Sequence, residues 1–227
     1  MSSVQQNLSY ILDKIAKSAI KSGRHPNDIK LIAISKFHSQ ESIQDVIHAG
    51  HKIFGENRIQ EAKTKFAPLQ LLDPELTLHF VGPLQTNKVL DAVKLASVIE
   101  TLDRTALFAP LEKAMDKTGL KPIFYIQINV GNEPQKAGVR LEKADEFISA
   151  CLRKFNKQIQ GIMGIPPLNQ PPEIYFDKLR NFAERYNLPE ISMGMSSDFE
   201  TAIAHGATVV RIGSAIFGER QAHKISK

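Results

Sequence analysis

The hydrophobic positions of this 227-residue chain fall into short apolar runs that alternate with stretches of helical spacing. Residues 4–19 carry apolar side chains every three or four positions, and Gly23 follows as a stop signal, which predicts a leading amphipathic helix. Residues 31–35 then form a short apolar run, as expected for a strand that is buried on both faces of a parallel sheet. The same order of strand and helix recurs along the rest of the chain.

Eight strands are predicted, and each is followed by a helix. The predicted strands cover residues 31–35, 52–55, 77–81, 97–100, 123–130, 159–163, 190–193 and 208–212. The predicted helices cover residues 41–48, 58–66, 88–94, 104–117, 141–155, 173–186, 198–205 and a short segment near Ala215. Strict alternation with short connections indicates parallel strands joined by right-handed crossovers, and eight units favour a closed (β/α)8 TIM barrel over an open sheet. Residues 35–38 contain no glycine, unlike the phosphate loop of a nucleotide-binding sheet.

Composition and charge narrow the class of protein. Hydrophobic residues make up 42% and charged residues 23% of the chain, and no apolar stretch is long enough to span a bilayer. Charged residues interrupt the first 20 positions, which argues against a secretory signal, and the lone Cys151 provides no disulfide framework. The net charge of +5 is spread along the chain without a basic block. We expect one cytoplasmic, monomeric domain, residues 1–227, that binds no metal, membrane or nucleic acid.

Lys36 is the first candidate for chemistry, because functional residues of such barrels collect at the carboxyl ends of the strands. Lys36 ends the first strand on the face shared by Ile32 and Ile34, so its amine points either into the barrel mouth or out to water. A desolvated lysine amine has a lowered pKa and attacks carbonyl groups to form a Schiff base. This residue by itself leaves both interpretations open.

Two segments that contain Gly and Ser follow the last two predicted strands. Ser196 and Ser197 precede one helix, and Gly213 and Ser214 precede the next. Helix capping explains either segment, but these two loops also form the recurrent phosphate site of TIM barrels. A Schiff-base lysine opposite a phosphate site suits an aldehyde that carries a phosphate, such as pyridoxal 5'-phosphate (PLP). Arg211 is then either the partner of the ring nitrogen or an arginine paired with a carboxylate at the rim.

Several motifs occur in a fixed order along the chain: Ile34-Ser35-Lys36, Phe54-Gly55-Glu56-Asn57, the segment His79–Lys88, the segment Ser192–Phe199 and the segment Val210–Ser214. Together they resemble the pyridoxal phosphate homeostasis protein family, whose barrel is similar to the N-terminal domain of alanine racemase. The resemblance covers nearly the whole chain. It implies that Lys36 holds PLP covalently as a Schiff base. It also implies cofactor contacts at Asn57, Met193, Ser196, Ser197, Arg211, Gly213 and Ser214.

Two further positions leave alternatives open. His79 shares a strand face with Val81 and is either a weaker candidate for a cofactor contact or a hydrogen-bonded core histidine. Lys136, with Asn129 and Gly138, resembles the family's loop after the fifth strand. The residue pattern alone predicts a turn with a solvent-facing lysine.

The resemblance implies a role in intracellular vitamin B6 and amino-acid homeostasis, as a PLP carrier without efficient turnover that serves apo-forms of PLP-dependent enzymes. Alanine racemases need a second acid/base from a separate C-terminal domain, whereas this sequence ends soon after the eighth predicted strand. Two enzymatic alternatives stay open. One is a PLP-dependent, racemase-like enzyme acting on amino acids. The other is a Schiff-base aldolase-type barrel, in which Lys36 attacks a sugar-phosphate carbonyl without a cofactor.

Overall fold

The computed structural model describes residues 3–218, and eight parallel strands in this part of the chain form a closed barrel. The strands are β1 (Lys30–Ile34), β2 (Ile53–Glu56), β3 (Thr77–Phe80), β4 (Val98–Leu102), β5 (Ile123–Asn129), β6 (Ile159–Gly164), β7 (Glu190–Ser192) and β8 (Val209–Ile212). Each strand pairs with its neighbours in chain order, and β8 pairs with β1 to close the barrel. The predicted (β/α)8 barrel is confirmed. The ends of the predicted domain, residues 1, 2 and 219–227, lie outside the described residues.

Helices surround the barrel on its outer face. They are α1 (Ser3–Lys21), α2 (Gln40–His48), α3 (Ile59–Leu72), α4 (Val89–Leu95), α5 (Phe108–Thr118), α6 (Leu141–Phe155), α7 (Glu173–Arg185), α8 (Phe199–Ala204) and α9 (Ser214–Phe217). The leading helix α1 is confirmed, and it packs against α2, α8 and α9, beside the seam where β8 meets β1. Among the helices of residues 3–218, none combines the length and the apolar character that a membrane crossing requires.

Among the differences from the sequence-based prediction, one concerns the end of a helix and another an additional strand. The helix α3 continues through Pro68 to Leu72, although its predicted end is Phe66. A proline inside a helix removes one hydrogen bond and usually ends or kinks the helix. Here Phe66 and Leu69 are both buried on either side of Pro68, and their packing offsets that loss. A two-residue strand that was not predicted, Val139–Arg140, pairs in parallel with β5.

Two hydrophobic clusters stabilise the barrel. The larger cluster lies between the strands and the helices and includes the fully buried aromatic residues Phe54, Phe66, Phe124 and Phe176. Burying one such side chain contributes roughly 1.5–3 kcal/mol. The smaller cluster fills the lower interior of the barrel with Ile32, Ile34, Val98, Tyr125, Met163 and Val209. At the next inward position along several of these strands, polar side chains replace apolar ones, and the site begins there.

Candidate functional site

A cavity of about 350 Å³ opens at the carboxyl ends of the strands, and we call it the Lys36 cavity. Seven of the eight predicted site residues line it: Lys36, Asn57, Ser196, Ser197, Arg211, Gly213 and Ser214. These residues follow β1, β2 and β7 or belong to the end of β8 and the loop behind it. The closed barrel therefore brings together side chains that are far apart in the sequence.

Met193 is the predicted site residue that does not line this cavity. It is fully buried and belongs to the hydrophobic cluster between the barrel and the helices. Its N–H donates to the carbonyl oxygen of Val209 at 3.1 Å. Successive residues of a strand face opposite sides, so Ser192 points into the barrel and Met193 points out of it. Met195, two residues further along, lines the cavity instead.

The backbone before Lys36 is held by buried polar contacts. Ser35 is fully buried, and its hydroxyl donates to Glu56 Oε1 at 2.8 Å. Lys65 Nζ donates to the Ser35 carbonyl oxygen at 2.9 Å and to the same Glu56 oxygen at 3.1 Å. Directly after Lys36, Phe37 adopts a left-handed φ of 65°, which is rare for a bulky residue. This turn ends β1 sharply and leaves Lys36, which is half-buried, on the cavity wall.

Arg211 projects inward from β8, on the same face as Val209. Its side chain is 5% exposed. Nη1 donates to the Ser192 hydroxyl at 2.6 Å, and Nη2 donates to the Gly164 carbonyl oxygen at 3.1 Å. Burial lowers the pKa of Arg211 from its ordinary value. An arginine starts from so high a pKa that the guanidinium nevertheless stays charged at neutral pH.

Glu100, which the sequence patterns did not single out, lies close to Arg211. This residue is completely buried, and its Oε2 accepts a hydrogen bond from the Ser192 hydroxyl at 2.6 Å and lies 4.0 Å from Arg211 Nη1. Its Oε1 lies 2.6 Å from His79 Nδ1. Burial opposes ionisation, but the contacts with His79, Arg211 and Ser192 together leave the pKa of Glu100 below its ordinary value. The sequence did contain a signal for this position: alternation along the strand places Glu100 on the same face as Val98, which is buried inside the barrel.

The structure decides between the two interpretations of His79. Its side chain is 5% exposed, hydrogen-bonded to Glu100 and in edge contact with the ring of Tyr125 at 6.3 Å. It is a buried core histidine whose Nδ1 is hydrogen-bonded, and it is not among the residues that line the Lys36 cavity. Arg211 lies near a carboxylate, as one interpretation expected, but this pair is buried in the barrel interior and not at its rim, and Arg211 also lines the Lys36 cavity.

The loops after β7 and β8 meet at one end of the cavity. The hydroxyl oxygens of Ser196 and Ser214 lie 3.5 Å apart. Gly213 passes so close to β1 that an added Cβ would lie 3.1 Å from the Ile34 carbonyl oxygen. Ser197 lines the cavity beside Ser196. The hydroxyl groups of Ser196, Ser197 and Ser214 make this end of the cavity polar.

Asn57 holds an unsatisfied buried acceptor. Its Oδ1 accepts no hydrogen bond from any group within residues 3–218. The loop after β3 presses on the same residue, since a Cβ at Gly82 would lie 2.0 Å from the Asn57 carbonyl oxygen. Buried acceptors are almost always satisfied by protein, water or ligand. The side chain of Asn57 is therefore suited to accept a hydrogen bond from a molecule in the cavity.

The loop after β5 contains the predicted turn, but Lys136 faces solvent only in part. Its side chain is 29% exposed, and Nζ donates to the Pro166 carbonyl oxygen at 3.0 Å and pairs with Glu133 Oε2 at 2.6 Å. The Asn129 amide nitrogen donates to the Glu133 and Lys136 carbonyl oxygens, and Gly138 takes a φ of 112° that folds the loop over Asn129. Packing of this loop against the proline-rich loop after β6 is the reason for the difference.

The fold and the site define a protein of the alanine racemase N-terminal domain class. Residues 12–221 match the family model of that domain. Alanine racemase from Corynebacterium glutamicum shares the fold with a TM-score of 0.66, at 16% identity, over 98% of this chain and 62% of the racemase chain.

More similar relatives specify the family. Pyridoxal phosphate homeostasis protein of Aquifex aeolicus is 41% identical over 95% of this chain and 98% of its own length. The protein of the same name from Escherichia coli K12 is 36% identical over 99% and 100%. PipY of Synechococcus elongatus PCC7942, solved without PLP, has a TM-score of 0.79 at 36% identity over 90% of this chain and 100% of its own, and a second PipY structure contains bound PLP. The chain belongs to the pyridoxal phosphate homeostasis protein family.

Proposed function

We propose that this chain binds PLP covalently through Lys36 and acts in vitamin B6 and amino-acid homeostasis. The observation that carries the proposal is the grouping of Lys36, Arg211 and the Ser196–Ser214 pair around one cavity. PLP supplies an aldehyde that forms a Schiff base with a lysine amine, together with an electron-accepting ring and a phosphate. A structure of PipY, a relative at 35% identity, contains bound PLP, which supports PLP as the ligand.

The Lys36 cavity contains groups that can bind the phosphate, the ring hydroxyl and the ring nitrogen of PLP. The hydroxyls of Ser196, Ser197 and Ser214 and the backbone at Gly213 suit the phosphate. The unsatisfied oxygen of Asn57 suits a hydroxyl donor on the ring. Arg211 suits the ring nitrogen. The hydrogen-bond donors and acceptors of these residues therefore match those of PLP.

We also propose that the chain carries PLP without efficient turnover. Glu100 and Ser192 hold Arg211 as a charged hydrogen-bond donor, and a donor beside the ring nitrogen leaves that nitrogen unprotonated. An unprotonated ring stabilises a carbanion at the α-carbon of an amino acid poorly, so proton removal is slow. We further propose that the chain releases PLP to apo-forms of PLP-dependent enzymes, that it is a monomer and that it is located in the cytoplasm.

The absorption spectrum of the purified protein tests the covalent site. We expect a yellow protein whose visible band is lost on borohydride reduction, with the reduced cofactor on the peptide that contains Lys36. Lys36→Ala should abolish the band and leave the fold intact. Lys88→Ala and Lys136→Ala are matched controls, because both lysines line neighbouring cavities. Reduced cofactor on Lys88 or Lys136 would contradict the assignment. A colourless protein that borohydride modifies only in the presence of a sugar phosphate would also contradict it.

A pair of assays tests the carrier role. The protein is incubated with common L-amino acids to follow loss of optical activity, and with an apo-form of a PLP-dependent enzyme to follow regained activity. We expect transfer to the apo-enzyme and negligible racemisation. Turnover of about one per second or faster, without transfer, would show that the chain is an enzyme.

A further inference from the structure

A second cavity of about 210 Å³ adjoins the Lys36 cavity, and we call it the Gln127 cavity. Asn57, Val81 and Ile165 line both cavities, so the two share one wall. The Gln127 cavity reaches from this wall to the inward face of β5, where Gln127 and Asn129 lie. A molecule in the Lys36 cavity therefore has a small neighbouring space beside it.

Two carbonyl-type oxygens of this space lack a donor within residues 3–218. One is Asn57 Oδ1, at the shared wall, and the other is Gln127 Oε1. Gln127 is 7% exposed, and its amide nitrogen donates to the Ala137 carbonyl oxygen at 3.3 Å. That hydrogen bond identifies the oxygen as the unsatisfied end of the amide. This oxygen is therefore available to accept a hydrogen bond from a ligand that fills the Gln127 cavity.

The charge around the cavity favours a neutral donor over a second cation. Lys136 lines the cavity, and its ammonium group is paired with Glu133 at 2.6 Å. No carboxylate is among the described residues that line this cavity, and a second cation would be poorly solvated by the apolar walls of Val81, Pro83 and Ile165. A hydroxyl group needs no counter-charge and can donate to Gln127 Oε1.

We propose that the Gln127 cavity binds the hydroxyl group of a small hydroxylated primary amine, of the serine or ethanolamine type, which displaces Lys36 from the cofactor. The inference rests on the proposed function. Asn57 Oδ1, at the shared wall, serves the ring hydroxyl of the cofactor, so Gln127 Oε1 is the acceptor left for the hydroxyl group of the amine. The amine nitrogen bonds to the cofactor carbon held by Lys36, the bond from that carbon to Lys36 Nζ breaks, and the two N–H protons of the amine end on the Lys36 nitrogen. No oxidant or reductant is required.

The test compares amines that differ by one hydroxyl. Ethanolamine with ethylamine, and serine with alanine, are titrated against the PLP-loaded protein, and displacement is followed by the change in visible absorption. With concentrations expressed as the unprotonated amine, we expect the hydroxylated member of each pair to half-saturate at about a three- to tenfold lower concentration, as one neutral hydrogen bond predicts. Gln127→Met, which keeps the side-chain length, should abolish this preference and leave the PLP content unchanged.

Two controls keep the outcomes distinct. Gln135→Met removes the same type of side chain from an exposed position in the loop that follows β5 and should retain the preference. Gln127→Asn, which shortens the side chain while keeping an amide, should reduce the preference and covers the case in which Gln127→Met does not fold. Equal half-saturating concentrations within each pair for the wild-type protein would mean that no hydroxyl group is recognised. A preference that survives both changes at Gln127 would mean that the hydroxyl group binds elsewhere, and either result overturns the inference.

A third arm separates this inference from the proposed function. Binding of ethanolamine and ethylamine to the cofactor-free Lys36→Ala variant is measured by ligand-observed NMR, with and without Gln127→Met. A hydroxyl preference that depends on Gln127 supports the inference even if the protein fails to bind PLP. If the Lys36→Ala variant binds both amines equally well while the wild-type protein binds PLP normally, the inference is overturned and the proposed function is not.

Discussion

Replacing Glu100 with glutamine tests whether the buried carboxylate holds Arg211 in place. Glutamine keeps the shape and an acceptor for Ser192, but it removes the negative charge 4.0 Å from Arg211 Nη1. Two unit charges at this distance attract each other by about 4 kcal/mol at an effective dielectric constant of 20. Removing one partner of a buried pair costs about 3–5 kcal/mol because the other charge remains buried. Ser192 and Gly164 still accept from Arg211, so we expect a loss near the lower end of that range, about 3 kcal/mol.

Urea denaturation at pH 7 measures the effect. The control is Glu146→Gln, at a side chain that is 77% exposed, which should change the free energy of unfolding by less than about 0.5 kcal/mol. A loss below about 1 kcal/mol for Glu100→Gln, similar to the control, would refute the view that this carboxylate compensates Arg211.

The pH dependence gives a second reading of the same interaction. The pKa of Glu100 is lower in the folded protein than its ordinary value of 4.5. Its ionised form therefore stabilises the fold fully above the pKa of the unfolded chain, and this contribution is lost as the pH falls through the folded-state pKa. The difference between the wild-type protein and Glu100→Gln should be largest near pH 7 and should narrow below about pH 4.

Three further predictions concern single features of the site and core. Ser196→Ala together with Ser214→Ala should weaken PLP binding, by roughly ten- to a hundredfold for each hydrogen bond lost to the phosphate, and an unchanged Kd in a fluorescence titration would place the phosphate elsewhere. Gly82→Ala should reduce both PLP affinity and thermal stability, because the new Cβ would lie 2.0 Å from the Asn57 carbonyl oxygen; equal Tm values would contradict that geometry. Burial raises the pKa of the Cys151 thiol to about 12, so a thiol reagent at pH 8 should label it in urea but not in the native protein.

The amino-acid sequence by itself determined the order of the elements and the position of the main site residues. Apolar periodicity is a local property, and it predicted α6 with the same bounds as the structure, residues 141–155. Once eight strand–helix units are recognised, the carboxyl ends of the strands must meet at one end of the barrel. That geometry, with the resemblance to a known family, was enough to bring Lys36, Arg211 and Ser214 to one cavity.

Tertiary structure alone decided which side chains touch. The hydroxyl of Ser192 reaches Glu100 from 92 positions away in the sequence, and the amine of Lys136 reaches the carbonyl oxygen of Pro166 from 30 positions away. Met193 points out of the barrel because Ser192 points into it. A strand as short as β7, without clear alternation of polar and apolar residues, does not reveal which of the two faces inward. Periodicity reports the environment of each residue relative to its own element, whereas the partner of a buried polar group depends on how separate strands are placed in the closed barrel.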